Sequence, residues 1–296
     1  NTVTDTANGA GNAIVLKAST NTIISDTTII NNGNKGTAIL FEDKSFRALD
    51  SNIEFDSVEE SCRGIEFRNK ATIELEGVEF LRCNAKGGEG GGIFYHEAIP
   101  NTDELVFSLD SCIFDSNDAL NGSALLLNIS SIPEIYGCTF KNHQSGSFIF
   151  TIVFSLFQMV YEFTDCTFEN NYHETSADHE DGGGSGIWIA NNKQIAAGRL
   201  MQIYFTGIKF INNRSPSVGG AFAYGRSPTV YPSELYFDSC QFDGNTAKTD
   251  GGALWVITKS PYEIQYCSFK NNLAERKGGS IMVETLAPIA TIQTSS

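Results

Sequence analysis

The chain has 296 residues, of which 41% are hydrophobic and 19% charged, and its formal net charge is −15 at pH 7. A charge this negative disfavours nucleic acid and anionic membranes as electrostatic partners. The sequence also lacks an apolar stretch of about 20 residues, so no membrane span is expected. The length is ample for one large core, and we expect residues 1–296 to form a single domain.

The first apolar elements are short and are separated by Gly and Asn. Residues 11–16 (GNAIVL) have the pattern of a strand that follows a glycine turn, and Ile29 with Asn32 gives a first degenerate copy of a repeat. Further degenerate copies are centred on Phe55 and Phe80. The chain opens inside this pattern, and residues 286–294 are still apolar and periodic. We therefore expect a segment of a longer or assembled protein.

From residue 112 onward the repeat can be written C-x-F-x-x-N, followed by a short polar turn and G-G-[small]-[apolar]. Its anchor phenylalanines lie about 25 to about 42 residues apart, which is typical of a solenoid with loops inserted at its corners. Ile208 takes the cysteine position in one copy, and Asn142 lies one place early in another. The repeated positions are Cys112, Cys138, Cys166, Cys240 and Cys267; Phe55, Phe80, Phe114, Phe140, Phe168, Phe210, Phe242 and Phe269; and Asn117, Asn171, Asn213, Asn245 and Asn272.

Each repeat is long enough for three short strands. Leu235 and Phe237 alternate with Tyr236, whereas Cys240 and Phe242 follow an odd step of three, so the chain must turn between the two pairs. A single coil cannot bury its apolar side, so coils are predicted to stack in parallel about 4.8 Å apart. The phenylalanines would then form one internal column, and the asparagine amides a second that bridges the coils. The sequence predicts an all-β fold, a right-handed parallel β-helix (solenoid) of about nine to ten three-strand coils.

Loops are inserted mainly after the third strand, at residues 95–103, 190–198, 224–232 and 258–261. They would stack along one edge, which we expect to be the ligand or partner surface. The apolar run of residues 148–157 is too short to cross a membrane. It is interpreted as a strand extension covered by a neighbouring insertion, with a contact surface for another subunit as the alternative.

The five repeated cysteines are expected to be buried thiols that fill space. Parallel Cβ vectors in adjacent coils leave the Cβ atoms slightly too far apart for a disulfide. Cys62 and Cys83 lie outside this column, and a disulfide between them stays open as an alternative. The sequence has no C-x-x-C pair, which gives zinc little support.

The densest polar cluster is the segment of residues 173–184, HETSADHEDGGG. We favour a solvated loop, but Ca²⁺ or a transition metal could be held through Asp178, His179, Glu180 and Asp181. No other cofactor is expected. N-glycosylation sequons begin at Asn121, Asn128 and Asn213, the last of which is also an asparagine of the repeat.

One pair of acids has the spacing of a catalytic site. Asp115 and Glu169 would lie two coils apart, roughly 9.6 Å by the strand spacing, near the separation used by inverting glycosidases. Lys141 falls between them, however, and the order acid, base, acid favours a surface charge ladder.

The combination of F-x-x-N with G-G-[AIS]-[LIFM] resembles the repeat of the chlamydial polymorphic outer-membrane proteins. Similar repeats occur in surface proteins of some unicellular eukaryotes, within the pectin-lyase-like superfamily. The Arg-x-Pro-x-x-Arg, Asp-Asp and His-Gly segments of the enzymes of that superfamily are missing. The best matching units are Phe114/Asn117, Phe168/Asn171, Phe210/Asn213 with GGAF at 219–222, Phe242/Asn245 with GGAL at 251–254, and Phe269/Asn272 with GGSI at 278–281.

The intact core pattern and the missing catalytic segments together predict a non-catalytic structural or adhesive solenoid, extracellular or at a cell surface. Its expected partners are other protein subunits, in a homo- or hetero-polymer, with glycans as further candidates. Two alternatives stay open. One is a polysaccharide lyase or glycoside hydrolase of the pectin-lyase-like type, and the other is a glycan- or cation-binding module without turnover.

Overall fold

The computed structural model describes residues 2–5, 14–17, 21–25, 27–31, 36–49, 52–55, 62–96, 106–129, 132–144, 148–152, 159–172, 184–190, 201–225, 233–258, 261–285 and 290–294. All regular secondary structure in these ranges is β-strand. This fits the sequence, because short runs rich in Ile, Phe, Tyr and Thr between Gly and Asn favour strands over helices. None of the described ranges contains a helix with the length and apolarity needed to traverse a bilayer.

In chain order the strands are β1 (Thr2–Asp5), β2 (Ile14–Lys17), β3 (Asn21–Ser25), β4 (Thr28–Asn31), β5 (Gly36–Leu49), β6 (Asn52–Phe55), β7 (Cys62–Glu76), β8 (Glu79–Leu81), β9 (Asn84–Glu89), β10 (Ile93–His96), β11 (Val106–Asp110), β12 (Ile113–Asp115), β13 (Asp118–Asn121), β14 (Leu125–Ile129), β15 (Ile132–Tyr136) and β16 (Thr139–Lys141). They continue with β17 (Phe148–Ile152), β18 (Met159–Thr164), β19 (Thr167–Glu169), β20 (Ile187–Ala190), β21 (Met201–Thr206), β22 (Lys209–Ile211), β23 (Arg214–Ser215), β24 (Phe222–Tyr224), β25 (Ser233–Asp238), β26 (Gln241–Asp243), β27 (Thr246–Ala247), β28 (Leu254–Thr258), β29 (Tyr262–Lys270), β30 (Leu273–Ala274), β31 (Ile281–Thr285) and β32 (Ala290–Thr294).

Most of the strands pair in parallel into three stacks, one for each strand of the coil. Of the others, β9 pairs in parallel with β13 and through one antiparallel bridge with β7, and β23, β27 and β30 form a separate parallel sheet. The first-strand stack contains β3, β5, β7, β11, β15, β18, β21, β25, β29 and β32. The second-strand stack contains β1, β4, β6, β8, β12, β16, β19, β22, β26 and β29. The third-strand stack contains β2, β5, β7, β10, β14, β17, β20, β24, β28 and β31. The long strands β5, β7 and β29 each belong to two stacks. The predicted all-β parallel β-helix is confirmed.

Residues in the left-handed region of φ turn the chain at the two ends of the second strand. The predicted turn between Phe237 and Cys240 lies at Ser239, whose φ is 56°, and the strand ends at Gly244, whose φ is 68°. Other coils place Asn, Ser, Asp or Gly at most of these corners. Gly, Asn and Asp tolerate positive φ best, which explains why the repeat is rich in them.

The three stacks face one interior. The ring centroid of Phe237, on the first strand, lies 5.2 Å from that of Phe222 on a third strand and 6.1 Å from that of Phe242 on a second strand. All three rings are buried. The core is therefore a continuous column that runs along the solenoid, filled from three sides.

The sequence also predicted correctly where the larger loops leave the coil. The segments that follow β10, β20, β24 and β28 each connect a third strand to the next first strand. The apolar run at 148–157 begins as β17, which pairs with β14 and β20. Its first half is thus a third strand of the solenoid, while residues 153–157 lie outside the described residues.

The glycine pair before the third strand leaves no room for a side chain at its second position. A Cβ at Gly252 would clash with the carbonyl oxygen of Gly279 in the next coil. A Cβ at Gly279, in contrast, would meet only the carbonyl oxygen of Asn272, at 3.9 Å, among the described residues. We expect Gly252→Ala to lower the free energy of unfolding by at least about 1 kcal/mol. The matched change Gly279→Ala should stay within about 0.5 kcal/mol. Urea unfolding followed by circular dichroism measures both, and equal losses would contradict the close packing.

Candidate functional site

The anchor phenylalanines form an internal stack of rings. Strand register places Phe80, Phe114, Phe140, Phe168, Phe210, Phe242 and Phe269 directly above one another. Neighbouring ring centroids are separated by 4.7, 5.0, 4.7, 5.1, 4.9 and 4.6 Å, with interplanar angles of 17° or less. Such nearly parallel stacking holds successive coils in one register.

The assignment of Phe55 to this stack is wrong. Strand β6 pairs with β8 so that Ile53 lies opposite Phe80, and Phe55 pairs with Asn31 on the other neighbouring strand. The column therefore continues from Phe80 through Ile53 to Ile29. Residues two apart on a strand have the same phase. The apolar pattern alone could thus not choose between Ile53 and Phe55.

The repeated asparagines form a buried hydrogen-bonded ladder. Asn213 is typical: its Nδ2 donates to the carbonyl oxygen of Phe168 at 2.9 Å and to Oδ1 of Asn245 at 3.0 Å. Its own Oδ1 accepts from the backbone N–H and the Nδ2 of Asn171, at 3.2 and 2.9 Å. Asn245 repeats these contacts with Asn272. Each side chain thus satisfies turn backbone while linking three coils.

Two ladder positions were missed in the sequence because they do not hold asparagine. Three residues after Phe80 and Phe140 stand Cys83 and His143, both buried. The backbone N–H of Cys83 donates to Oδ1 of Asn117 at 2.8 Å. His143 accepts the backbone N–H of Asn117 on Nδ1 at 3.1 Å and donates its own backbone N–H to Oδ1 of Asn171 at 3.2 Å. Counting the position, rather than matching the residue type, would have found both.

His143 differs from the asparagines because one of its polar atoms is orphaned. Its side chain is only 1% exposed, and its Nε2 has no hydrogen-bond partner among the described residues. Burial lowers the pKa of His143 to about 4, although its contact with the backbone of Asn117 and the charge of Asp115 act in the opposite direction. The ring is therefore neutral at physiological pH.

The cysteine column consists of buried free thiols. Cys112, Cys138, Cys166, Cys240 and Cys267 are all unbridged. The side chain of Cys62 lies outside the described residues, so a disulfide between Cys62 and Cys83 stays a prediction. Burial raises the pKa of the Cys138 thiol well above its usual value. The hydrogen bond with Cys267, together with burial, raises the pKa of Cys240. Thiols that are shielded from solvent in this way are inert, so the column fills space rather than performing chemistry.

Asp115 and Glu169, which have the predicted spacing of a glycosidase pair, belong to a row of alternating charges on the outer surface. Lys141 pairs in register with Asp115 on one side and Glu169 on the other, and its Nζ lies 3.3 Å from Oδ2 of Asp115. Partial burial raises the pKa of Asp115, but hydrogen bonds from Asn142, Ser116 and Lys141 outweigh it and hold the pKa below its usual value. A general acid needs a raised pKa. This carboxylate is therefore unsuited to that role.

The candidate glycosylation and cation sites receive no structural support. Asn213 is wrong as a glycosylation site, because its side chain is fully buried and its amide nitrogen is engaged in the ladder. The side chains of Asn121 and Asn128 lie outside the described part of the structure, as do Asp178, His179, Glu180 and Asp181. In the described ranges, three or more potential metal ligands nowhere come together.

One concave feature lies at the turn between the second and third strands, a corner that the sequence did not single out. In four successive coils, the residue four places after the anchor phenylalanine lines a groove of about 660 Å³. These residues are Tyr172, Arg214, Thr246 and Leu273. These four residues follow one another in register along the solenoid. Reading this fourth position across successive repeats would have revealed the cluster, which we call the corner groove.

The chain was compared with known proteins. The family model of the Chlamydia polymorphic membrane protein repeat matches residues 239–256, which span the second strand β26, the ladder asparagine Asn245 and the glycine pair. No curated protein and no solved structure gives a significant match. The chain is thus similar to the chlamydial membrane-protein repeat over part of one coil. Membership of the pectin-lyase-like superfamily stays a prediction from the sequence.

Proposed function

We propose that this chain is a non-catalytic structural solenoid of a cell surface, a rigid scaffold whose outer faces contact other protein subunits. The similarity of residues 239–256 to a repeat of surface-associated membrane proteins supports the location. The strongly negative net charge of −15 keeps such a surface soluble and limits adsorption to anionic lipid and nucleic acid.

The observation that carries this proposal is the ring stack inside the solenoid, which is uninterrupted from Phe80 to Phe269. Asparagine amides and buried thiols occupy equivalent places in most of the same coils. This arrangement commits the repeated side chains to packing and backbone hydrogen bonds. On the outer surface, Lys141 forms an ion pair with Asp115 and lies in register with Glu169, which does not favour acid–base chemistry by these carboxylates.

The enzymatic alternative is tested with acidic polysaccharides. The purified chain is incubated with pectin, polygalacturonate and alginate, and reducing ends and unsaturated products are measured over time. We expect neither product above the level of a buffer blank. The double variant Asp115→Asn, Glu169→Gln is the matched control. Product formation that this variant abolishes would overturn the proposal and establish a hydrolase or lyase.

The assembly part of the proposal has its own test. Light scattering coupled to size-exclusion chromatography, followed by electron microscopy, is performed over a range of protein concentrations. We expect self-association or rods that lengthen with concentration, because solenoid strands offer edges that can pair. A monodisperse monomer at every concentration would contradict a homopolymer, and a scaffold would then require different subunits as partners.

A further inference from the structure

We propose that the corner groove binds an anionic saccharide, a sugar chain bearing carboxylate or sulfate groups. The groove is built by consecutive coils, each of which contributes the residue that follows its ladder position. Backbone hydrogen bonds fix these residues: Arg214 N–H donates to the carbonyl oxygen of Asn171 at 2.8 Å, and Thr246 N–H donates to that of Asn213 at 2.9 Å. The groove floor is therefore as rigid as the core beneath it.

Arg214 provides the anion-binding group. Its guanidinium carbon lies 5.5 Å from the ring centroid of Tyr172, so the aromatic face supports the cation. A guanidinium presents a planar set of donors that matches a carboxylate or sulfate in two-point contact. The Arg214 side chain is exposed and lines the groove, which makes it accessible to a ligand.

The remaining lining suits a polyhydroxylated ligand better than a simple ion. Asn212 supplies an amide, Thr246 a hydroxyl, Lys248 an ammonium and Glu275 a carboxylate, a mixture of donors and acceptors that sugar hydroxyls can satisfy. The two ends are apolar in part, with the half-buried ring of Tyr172 at one end and Leu273, 60% exposed, at the other. Binding sites commonly combine such apolar surface with a few placed polar groups.

The position of the groove differs from the surface favoured by the sequence. The loops of the favoured surface follow the third strand, whereas the corner groove lies before it, beside β23, β27 and β30. The acidic segment of residues 173–183 connects Tyr172 to the third strand at this same corner. Arg214 and Lys248 give the groove basic character in a chain whose net charge is −15. Because the overall field repels anions, an anion that binds here must be held by local contacts and not by long-range attraction.

The test uses trigalacturonate, a sulfated disaccharide and the neutral methyl ester of trigalacturonate as probes in calorimetric titrations. We expect saturable binding of at least one anionic probe and much weaker binding of the ester. The tighter of the two anionic probes identifies the carboxylate or the sulfate as the recognised group. The variant Arg214→Gln should weaken binding by about tenfold or more, and Arg214→Lys, which keeps the charge without the planar donors, should lose less.

Lys209→Gln is the matched control, since Lys209 is exposed in the same coil but does not line the groove. It removes the same charge and should change affinity by less than about twofold. Circular dichroism checks that each variant is folded. The proposal is overturned by absent saturable binding of both anionic probes, by equal binding of the ester, or by equal losses in the two variants. Cleavage of a probe would instead overturn the non-catalytic function and leave the binding site standing.

Discussion

Replacing Phe168 with alanine is expected to lower the free energy of unfolding by about 3 to 5 kcal/mol. The Phe168 ring is fully buried and lies between the rings of Phe140 and Phe210, at centroid distances of 4.7 and 5.1 Å. Its removal leaves a cavity that the neighbouring rings cannot fill without leaving their own stacked positions. Urea unfolding followed by far-ultraviolet circular dichroism gives the change.

The control for this experiment is Tyr136→Ala, an aromatic deletion on the outside of the same solenoid. Tyr136 is 51% exposed, and we expect a change within about 0.5 kcal/mol. Coils interact only with their neighbours, so the Phe168→Ala cavity should also weaken the coupling between the two halves of the solenoid. A transition that separates into two steps would show this directly. A loss no larger than that of Tyr136→Ala would rule out the ring stack as the main source of stability.

Acidification is expected to destabilise the solenoid through His143. Its pKa is about 4 in the folded chain, whereas an unperturbed histidine has a pKa of 6.5, so the unfolded chain binds more protons between these two values. Stability therefore rises with pH across this window, and the histidine contributes about 2 kcal/mol to the difference between pH 7 and pH 5. Protonation costs this much because burial disfavours the charged ring, and because a proton on Nδ1 would remove the acceptor of the Asn117 N–H.

The variant His143→Asn isolates this contribution. An asparagine at this position can accept the Asn117 N–H as the histidine does, and it offers a second donor like the other ladder residues. We expect the variant to be at least as stable as the wild type at pH 7 and to lose about 2 kcal/mol of the pH dependence. The other histidines are present in both proteins, so any contribution that they make cancels in the comparison. Identical pH profiles for the two proteins would show that His143 is not the sensor.

The architecture could be predicted from the sequence because the same residue types recur at equivalent positions of successive coils. Phe237 and Cys240 both had to face inward although they are three residues apart, which required a turn between them, and the structure has this turn at Ser239. Vertical neighbours could be matched wherever C-x-F-x-x-N was intact. The register failed at Phe55, where Ile53 has the same phase and only the actual strand pairing with Phe80 decides between them.

The ladder and the corner groove were harder to predict because equivalent positions in successive coils hold different types of residue. His143 and Cys83 occupy ladder positions and form backbone hydrogen bonds there, but neither is an asparagine, so a search for the motif does not find them. Arg214 and Tyr172 are adjacent only through the stacking of coils whose intervening loop is long. The burial of Asn213 overrode its sequon for a similar reason, since the tripeptide does not reveal that the amide faces inward.

Because successive coils are equivalent, the solenoid can be shortened by deleting the residues of one complete coil. Phe242 and Phe269 lie directly opposite each other in neighbouring strands, so excising the stretch from one to the other removes a complete turn and rejoins matching surfaces. Every remaining column is then continuous, and the rod is shorter by one strand spacing of about 4.8 Å. An excision that does not run between equivalent positions of two coils would shift the anchor phenylalanine of the joined coil out of register with its neighbours. The length of this solenoid can therefore change only in steps of whole coils if its internal columns are to stay intact.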